Sequence, residues 1–390
     1  MNTVLKNRIR SVDLLKGLVM VVMALDHVRD YVHFSAHYFN PIDPEKSTLP
    51  IYFTRLITDY CAPTFSFLAG LSAFFAGRKK SAGELSRFLF ARGLWLVFIE
   101  ISVVSFAWYF DIHFRNTDLA VIWALGISMI VLSALVYLPK NAILAFSLIV
   151  IFGHNLLDSV HFKDSILWSM VHESATFQLS KSHALTVIYP VVPWIGVMSL
   201  GYCFGSIYSP SYNSDKRRRL LNILGLSVIL LFIIVRWINI YGDPVPFEYY
   251  QTLSKTTMSF LNVNKYPPSL LYLAMTLGPA FIFLANSEKF KGPIVEFFST
   301  FGRVPFFYYV LHLYVIHLMA MALAQFSGFG WQKMILEIWV PDDPELKGYG
   351  FSLWVVYMVW ITAILICYPL CKKFDVYKQN HKDKRWLSYL

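Results

Sequence analysis

The stretch that decides the fold is Arg8–His37, RIRSVDLLKGLVMVVMALDHVRDYVHFSAH. It begins with cations, continues through an apolar run long enough to cross a membrane as a helix, and ends in histidines and paired charges. Side chains three and four residues apart lie on one face of a helix. One face of this helix therefore carries a set that we term the polar stripe: Asp13, Lys16, Met20, Met23, His27 and Asp30.

Two members of the polar stripe are spaced in an informative way. Lys16 and His27 are eleven residues apart, which on a helix gives a rise of about 16 Å and a rotation of only about 20°. Asp26, Arg29 and Asp30 surround His27. A helix in lipid does not carry such residues unless they face protein, water or substrate. We therefore expect a membrane-embedded reaction or transport site.

The composition fits a polytopic membrane protein. Of the 390 residues, 56% are hydrophobic and 17% aromatic, and the mean hydropathy is +0.51. The sequence therefore predicts an all-α transmembrane helical bundle. We interpret the net charge of +10 as basic cytoplasmic loops rather than as a nucleic-acid surface. The four cysteines lack metal-ligand spacing, so we assign them to packing and expect no metal.

About ten spans are predicted, and the distribution of lysine and arginine orients them. The N-in, C-in orientation places most cations inside, near residues 6–10, 78–92, 140, 216–219, 289–291 and 372–385. The opposite loops hold only scattered cations, which favours this orientation. The predicted spans are 12–34, 52–77, 88–109, 118–138, 141–154, 184–208, 217–239, 268–285, 303–326 and 350–371.

The connections suggest one transmembrane domain over residues 1–390. The long loops, 155–183, 240–267 and 327–349, are all predicted to lie outside, and each is able to form a short surface helix or a lid. The inner connections are short and basic, and the C-terminal tail, 372–390, is predicted to be cytoplasmic.

His27 is the first candidate for chemistry. A neutral imidazole can take a proton from a hydroxyl or an amine, and Asp26 or Asp30 can orient or charge the ring. The alternative for His27 is a structural histidine bonded to a neighbouring helix. The alternative for Arg29 and Asp30 is an interfacial ion pair whose long side chain reaches the membrane surface.

The opening helix also resembles a known family. RIRSVDLLKGLVMVVMALDH resembles the start of the transmembrane acyltransferases, whose signature is an arginine, ten residues and then a histidine. Further similarity, in residues 57–75, 189–205, 265–280 and 301–317, is to the heparan-α-glucosaminide N-acetyltransferase-like proteins and their bacterial relatives. The resemblance thus covers nearly the whole chain.

Two departures from the family pattern affect the site. Lys16 stands where the signature has arginine, which replaces a planar fork by a point charge. The lysosomal member of the family has an asparagine at the position of His27, and its catalytic histidine follows the helix. His33 or His37 can fill that second role, so the choice of base among the three histidines stays open from the sequence.

The resemblance implies acyl transfer across a membrane. The short inner loops and the lack of an organellar signal favour a bacterial cytoplasmic membrane. Acetyl-CoA, the donor, would bind from the cytoplasm, and its acetyl group would pass to the amine or hydroxyl of an extracytoplasmic sugar. Cationic side chains would hold the CoA phosphates, and the alternative for all except Lys16 and Arg303 is ordinary flanking charge. The candidates are Lys16, Arg8, Arg10, Arg92, which is predicted to begin the third span, and Arg303.

Other embedded polar groups are candidate contacts to the acceptor. Arg55 and Asp59, one turn apart, are expected to pair with each other or with His27. Glu100 lies mid-span without a local partner, which predicts a functional or cross-helix role. Trp194 is a further candidate, and the alternative for it is an anchor at the membrane interface. The predicted acceptor-binding set is Arg29, His37, Arg55, Asp59, Trp194, Tyr308 and His312.

A second function class explains the buried ionisable groups equally well. A proton-coupled transporter could use His27, Asp30 and Glu100 as a relay. It gives no reason for the spacing from Lys16 to His27 or for the family resemblance. The sequence leaves open the acceptor, the acyl group and the oligomeric state, a homodimer included.

Overall fold

A computed structural model describes residues 9–388, and Arg8 lies outside this range. The chain is mostly helical. In order, the helices are α1 (Arg10–Val32), α2 (Leu49–Leu56), α3 (Cys61–Gly77), α4 (Ala82–Ile99), α5 (Ser105–Tyr109), α6 (Val121–Leu135), α7 (Lys140–Gly153), α8 (Ile166–Val171), α9 (Val192–Phe204), α10 (Ser214–Ile238), α11 (Leu253–Leu261), α12 (Leu270–Ser287), α13 (Pro293–Arg303), α14 (Pro305–Phe326) and α15 (Leu353–Asn380). The strands are β1 (Asn116–Leu119), β2 (Ala175–Ser180) and β3 (His183–Val187).

The described residues form two compact units. The first unit comprises residues 9–61, 106–114 and 286–388, and the second comprises residues 62–105 and 115–285. The first therefore contains α1, α2, α13, α14 and α15, and the second contains α3, α4, α6 to α11, nearly all of α12 and the three strands.

Several apolar helices are long enough to span a membrane, which agrees with the predicted multi-pass membrane protein. Within residues 9–388, seven helical segments are long and apolar enough to cross a membrane: 49–77, 82–109, 140–157, 214–238, 270–287, 305–326 and 353–380. Two shorter apolar helical segments are Val121–Leu135 and Val192–Tyr208. Helix α1 is outside this set because it carries several charges. The number of spans and their orientation stay predictions.

Several predicted ends differ from the observed helices. Helix α4 begins at Ala82 rather than near 88, because Ser81 and Glu84 form a reciprocal capping box at its N-terminus. The sixth predicted span, 184–208, is wrong at its start. His183–Val187 is a strand, and α9 begins at Val192, next to Pro193 in its first turn.

A small sheet in the second unit is an addition to the predicted all-helical fold. Its strand order is β1-β3-β2, with β1 parallel and β2 antiparallel to β3. Leu119 pairs with Val187, and Ala175 pairs with the same residue from the other side. Strand β2 lies within the predicted loop 155–183, and β1 and β3 overlap the starts of predicted spans. Strands this short next to apolar segments show too little alternation of polar and apolar side chains to be recognised from the sequence.

Close packing within the first unit fixes α1. A Cβ atom on Gly17 would overlap the backbone carbonyl of Phe298, and one on Gly302 would overlap that of Asp13. Glycines thus let the backbones of α1 and α13 approach closely, as is typical of membrane helices. The indole N–H of Trp360, on α15, donates to the Val21 carbonyl at 2.8 Å. These contacts hold the polar stripe in a fixed orientation within its unit.

The second unit uses the same device at three helix crossings. Its glycine pairs are Gly70 with Gly201, Gly93 with Gly126, and Gly225 with Gly278, and at each of these six positions a Cβ atom would crowd the partner helix. Small residues in pairs therefore replace interlocking side chains at these crossings.

Glu100 has a structural role in the second unit. It lies in a π-helical turn, Glu100–Val104, at the end of α4. Its Oε1 accepts a hydrogen bond from the Ala120 backbone N–H at 3.1 Å, just before α6 begins. A carboxylate at this place satisfies an N–H at the helix N-terminus and interacts favourably with the helix dipole. The predicted cross-helix role of Glu100 is therefore confirmed, and it is that of a helix cap.

Candidate functional site

His27 lies at the centre of an aromatic cluster in the first unit. Its Nδ1 is 2.8 Å from Nε2 of His312, and the two rings stack at a centroid distance of 5.0 Å. The Trp108 ring meets His27 edge-on at 4.7 Å. His27 is half-buried, whereas His312 is fully buried. The predicted site residues His27 and His312, distant in the chain, are thus in direct contact.

The backbone of α14 fixes the orientation of the His312 ring. His312 Nδ1 is 2.9 Å from the carbonyl oxygen of Tyr308, one turn earlier. The Tyr308 ring stacks on the imidazole at 4.9 Å with only 8° between the planes. Tyr308 is also fully buried. Neither residue has an exposed surface, so we assign them to the wall behind His27 rather than to the predicted contact with an acceptor.

Tyr31 and Trp108 complete the wall on the other side. Tyr31 follows His27 by one helical turn, and its hydroxyl donates to the Trp108 carbonyl. The Trp108 ring stacks on Tyr31 at 5.9 Å and contacts Trp339 at 4.9 Å. Tyr31, Trp108 and Trp339 are not among the residues predicted from the sequence. The spacing of four between His27 and Tyr31 was the one available signal, because it places both on the same helix face.

A buried ion-pair cluster lies beside His27. Arg29 reaches Asp26 at 3.0 Å and Asp30 at 2.5 Å. Arg55 pairs with Asp59 and lies 3.6 Å from Asp26. The prediction that Arg55 and Asp59 pair with each other is confirmed. Asp26 and Asp30, predicted to orient or charge His27, are engaged by arginines, and the residue that bonds the His27 ring through Nδ1 is His312.

The polar stripe is more accessible than the rest of α1. Asp13, Lys16, Met23 and Asp30 are half-buried like His27, while Met20 is buried. Lys16 lies near the beginning of α1 and Arg10 is its exposed first residue. Because α1 is one continuous helix, Lys16 and His27 do lie on one face, as the spacing predicts.

The remaining predicted phosphate ligands have different environments. Arg303, the last residue of α13, is bonded to Asp375 at 2.7 Å and to Glu296 at 2.6 Å. We therefore regard it as a link between α13 and α15. Arg92 lies in the third turn of α4 in the second unit and does not begin the span as predicted, because α4 starts at Ala82.

His33 and His37, the other candidate bases, follow α1. His33 Nδ1 is 2.7 Å from the Ser35 hydroxyl. His37 is buried against Tyr349, with a ring distance of 6.3 Å. Burial lowers the pKa of His37, which favours its neutral form. Of the three histidines, His27 is the one on the polar stripe.

Trp194, predicted to contact the acceptor, is a buried residue of the second unit. Its ring packs against Tyr189 at 5.3 Å, and its carbonyl accepts from the Ser66 hydroxyl at 3.4 Å. Two prolines, Pro190 and Pro193, stand just before it in the sequence, and Pro193 lies in the first turn of α9. Burial argues against the alternative of an interfacial anchor, which would expose the indole N–H.

Comparisons with known proteins identify the family. No curated protein matches the chain significantly. Within residues 9–388, no group of three or more His, Cys, Asp or Glu side chains is arranged to hold a metal ion. The family model described as heparan-alpha-glucosaminide N-acetyltransferase, catalytic, matches residues 8–241, a range that includes Lys16, His27 and Arg92. Because this match covers more than half of the chain, the protein belongs to the heparan-alpha-glucosaminide N-acetyltransferase family of membrane acetyltransferases.

Proposed function

We propose that this protein transfers an acetyl group from cytoplasmic acetyl-CoA to the amine or hydroxyl of an extracytoplasmic sugar. The chain's membership of a membrane acetyltransferase family supports the reaction class. The membrane is proposed to be a bacterial cytoplasmic membrane, with both termini inside. The acceptor class comes from the glucosaminide in the family's description.

The donor is proposed to bind toward the beginning of α1. Lys16 is half-buried on the polar stripe, and Arg10 is exposed one turn and a half earlier. A lysine ammonium and an arginine guanidinium are suitable partners for the CoA phosphates. Between Lys16 and His27, Met20 and Met23 provide an apolar path, and the rise of about 16 Å suits an extended pantetheine arm.

His27 is proposed as the general base at the other end of this path. The observation that carries the proposal is the position of His27 on the polar stripe, held through Nδ1 by the buried His312 at 2.8 Å. A neutral imidazole held in a fixed orientation can remove a proton from an amine or hydroxyl as that group attacks the thioester. Direct transfer gives ternary-complex kinetics, whereas an acetylated histidine gives ping-pong kinetics.

The test is acceptor-dependent release of CoA by the purified protein. Wild type, His27→Gln and the control His161→Gln are compared with acetyl-CoA as donor and glucosamine as probe acceptor. His161 is an exposed histidine of the outer segment 155–183. We expect His27→Gln to lower kcat by about 10²-fold or more, with the control unchanged.

Two results would contradict the proposal. Undiminished turnover of a folded His27→Gln protein would remove His27 from the chemistry. Absence of CoA release by wild type with glucosamine and with the corresponding hydroxyl sugar, together with proton flux in liposomes, would favour the transporter instead. Binding of CoA is checked separately by thermal shift, because a ligand that binds only the folded state raises its stability.

A further inference from the structure

The hydrogen bonds around His312 determine where its protons lie. The Tyr308 carbonyl can only accept, so His312 Nδ1, 2.9 Å away, carries the donating hydrogen. His312 has no exposed surface, and an unpaired charge there would be costly. In the neutral ring, Nε2 is then the unprotonated nitrogen. That nitrogen faces His27 Nδ1 at 2.8 Å.

The hydrogen bond to His312 also fixes the position of the hydrogen on His27. Because His312 Nε2 accepts, His27 Nδ1 is the donor of this hydrogen bond. A neutral imidazole carries one hydrogen, so Nε2 of His27 keeps its lone pair. A chain of two bonds, from His27 through His312 to the Tyr308 carbonyl, thus selects one tautomer of each ring.

We propose that His312 is a positioning residue that holds His27 in the Nδ1–H tautomer, so that His27 Nε2 is the atom that accepts the substrate proton. This inference rests on the proposed acetyl transfer. It gives His312 the role that a buried carboxylate has in a catalytic triad, where the carboxylate fixes the tautomer and stabilises the charged ring without itself accepting the proton.

Packing limits the movement of both rings. Tyr308 covers one face of His312 in a nearly parallel stack at 4.9 Å. His27 also stacks on His312, at 5.0 Å, and Tyr309 meets the same ring edge-on at 5.7 Å. Trp108 meets His27 edge-on at 4.7 Å and at 72°. Rings that are packed on their faces and edges cannot turn over without moving these aromatic side chains, so the selected tautomers persist.

In the proposed reaction, one proton passes from the acceptor through His27 to the CoA sulfur. The acceptor amine or hydroxyl gives its proton to His27 Nε2 as its nitrogen or oxygen forms a bond to the acetyl carbonyl carbon. The carbon–sulfur bond of the thioester breaks, and the CoA sulfur leaves with the proton from His27 Nε2. Throughout, His27 Nδ1–H donates to His312 Nε2, which stabilises the positive ring. Acetyl-CoA and the acceptor thus become CoA and the acetylated acceptor, and His312 keeps its own hydrogen.

Two substitutions at His312 separate positioning from packing. The side-chain oxygen of glutamine can take the place of Nε2 and accept from His27 Nδ1–H. The amide nitrogen of asparagine can take the place of Nδ1 and donate to the Tyr308 carbonyl, but the side chain is too short to reach His27. Both replacements are polar amides, so His312→Gln and His312→Asn form a matched pair.

The pair is assayed for acetyl transfer to glucosamine across a range of pH, with thermal unfolding measured alongside. We expect His312→Asn to lower kcat by about 10²-fold with little change in the KM for acetyl-CoA. We expect His312→Gln to retain kcat within about tenfold of wild type. In His312→Asn, the acidic limb of the rate profile should also move to lower pH, because a charged His27 ring has lost its acceptor.

Several results would overturn the inference. One is wild-type kcat and an unchanged pH profile in His312→Asn. Another is an equal loss in both variants with no movement of the profile, since that pattern indicates packing alone. These results are distinct from failure of the proposed function, because in that case His27→Gln itself would keep full activity or wild type would have none.

Discussion

Arg29 allows the contribution of a buried ion pair to stability to be measured. It is buried and forms ion pairs with Asp26 at 3.0 Å and Asp30 at 2.5 Å. Arg29→Met would leave two carboxylates short of a cation. Breaking a buried pair in this way costs about 3–5 kcal/mol, so a large fall in the unfolding temperature is expected in a thermal-shift measurement.

The control for Arg29 is an exposed pair. Lys333 lies 3.9 Å from Glu345, and the side chains are 41% and 71% exposed. Lys333→Met should change stability by less than about 1 kcal/mol. Equal effects of the two substitutions would show that the cluster beside His27 contributes no more than a surface ion pair.

Lys16 allows a residue-scale test of donor binding. Lys16→Met should raise the KM for acetyl-CoA about tenfold while kcat changes little, because a phosphate contact far from the reacting carbonyl binds the ground and transition states alike. Steady-state kinetics with varied acetyl-CoA measures this. The control is Lys79→Met, which removes an exposed cation from the same predicted side. A fall in kcat with unchanged KM in Lys16→Met would contradict the assignment.

Local pairs in the site were predictable, and distant pairs were not. Arg55 with Asp59 and Tyr308 with His312 are each four residues apart, so helix periodicity places them together. The bond between His27 and His312 joins residues 285 positions apart, and no periodicity within one sequence relates α1 to α14. The same limit hides the contact between His312 and His27 from the sequence.

At the scale of helices, the glycine contacts between α1 and α13 predict a sharp effect. In Gly17→Ala, the new methyl group would overlap the Phe298 backbone, which cannot move aside as a side chain can. Overpacking of this kind costs about 1–3 kcal/mol. Thermal unfolding should therefore occur at a clearly lower temperature, and activity should fall because the polar stripe is displaced.

Gly83 provides the matched control. It lies in the first turn of α4, and a Cβ atom there meets nothing closer than 3.8 Å. Gly83→Ala should leave stability unchanged or raise it by about 0.5–1 kcal/mol, because alanine favours a helix over glycine. If Gly17→Ala behaved like Gly83→Ala, the close approach of α1 and α13 would be refuted.

The sequence predicted which segments are helices more reliably than the residues at which the helices begin and end. Long apolar runs predicted the membrane helices because apolar length is their main requirement. The capping box at Ser81 and the strand at His183–Val187 lie where polar or short segments adjoin apolar runs. At such places, the end of a helix depends on local hydrogen bonds that hydropathy does not report. Glu100 is similar, since its partner at Ala120 belongs to the following strand–helix connection.

At the scale of the whole molecule, the distribution of basic residues predicts a specific sidedness. Lys79→Cys and Lys163→Cys place single exposed thiols on loops predicted to lie inside and outside. The native cysteines Cys61, Cys203, Cys367 and Cys371 are all buried. A membrane-impermeant thiol reagent applied to intact cells should label Lys163→Cys alone, and Lys79→Cys should be labelled only after permeabilisation. The reverse pattern would invert the proposed orientation.

The central claim is that α1 joins a cytoplasmic donor to an extracytoplasmic acceptor through His27. Proteoliposomes of known protein orientation, with radiolabelled acetyl-CoA on the side of Lys16 and glucosamine on the opposite side, test it most directly. We predict labelled acetylglucosamine only on the side of the acceptor, and none with His27→Gln. Transfer that requires donor and acceptor on the same side, or that proceeds equally well in His27→Gln, would contradict the claim.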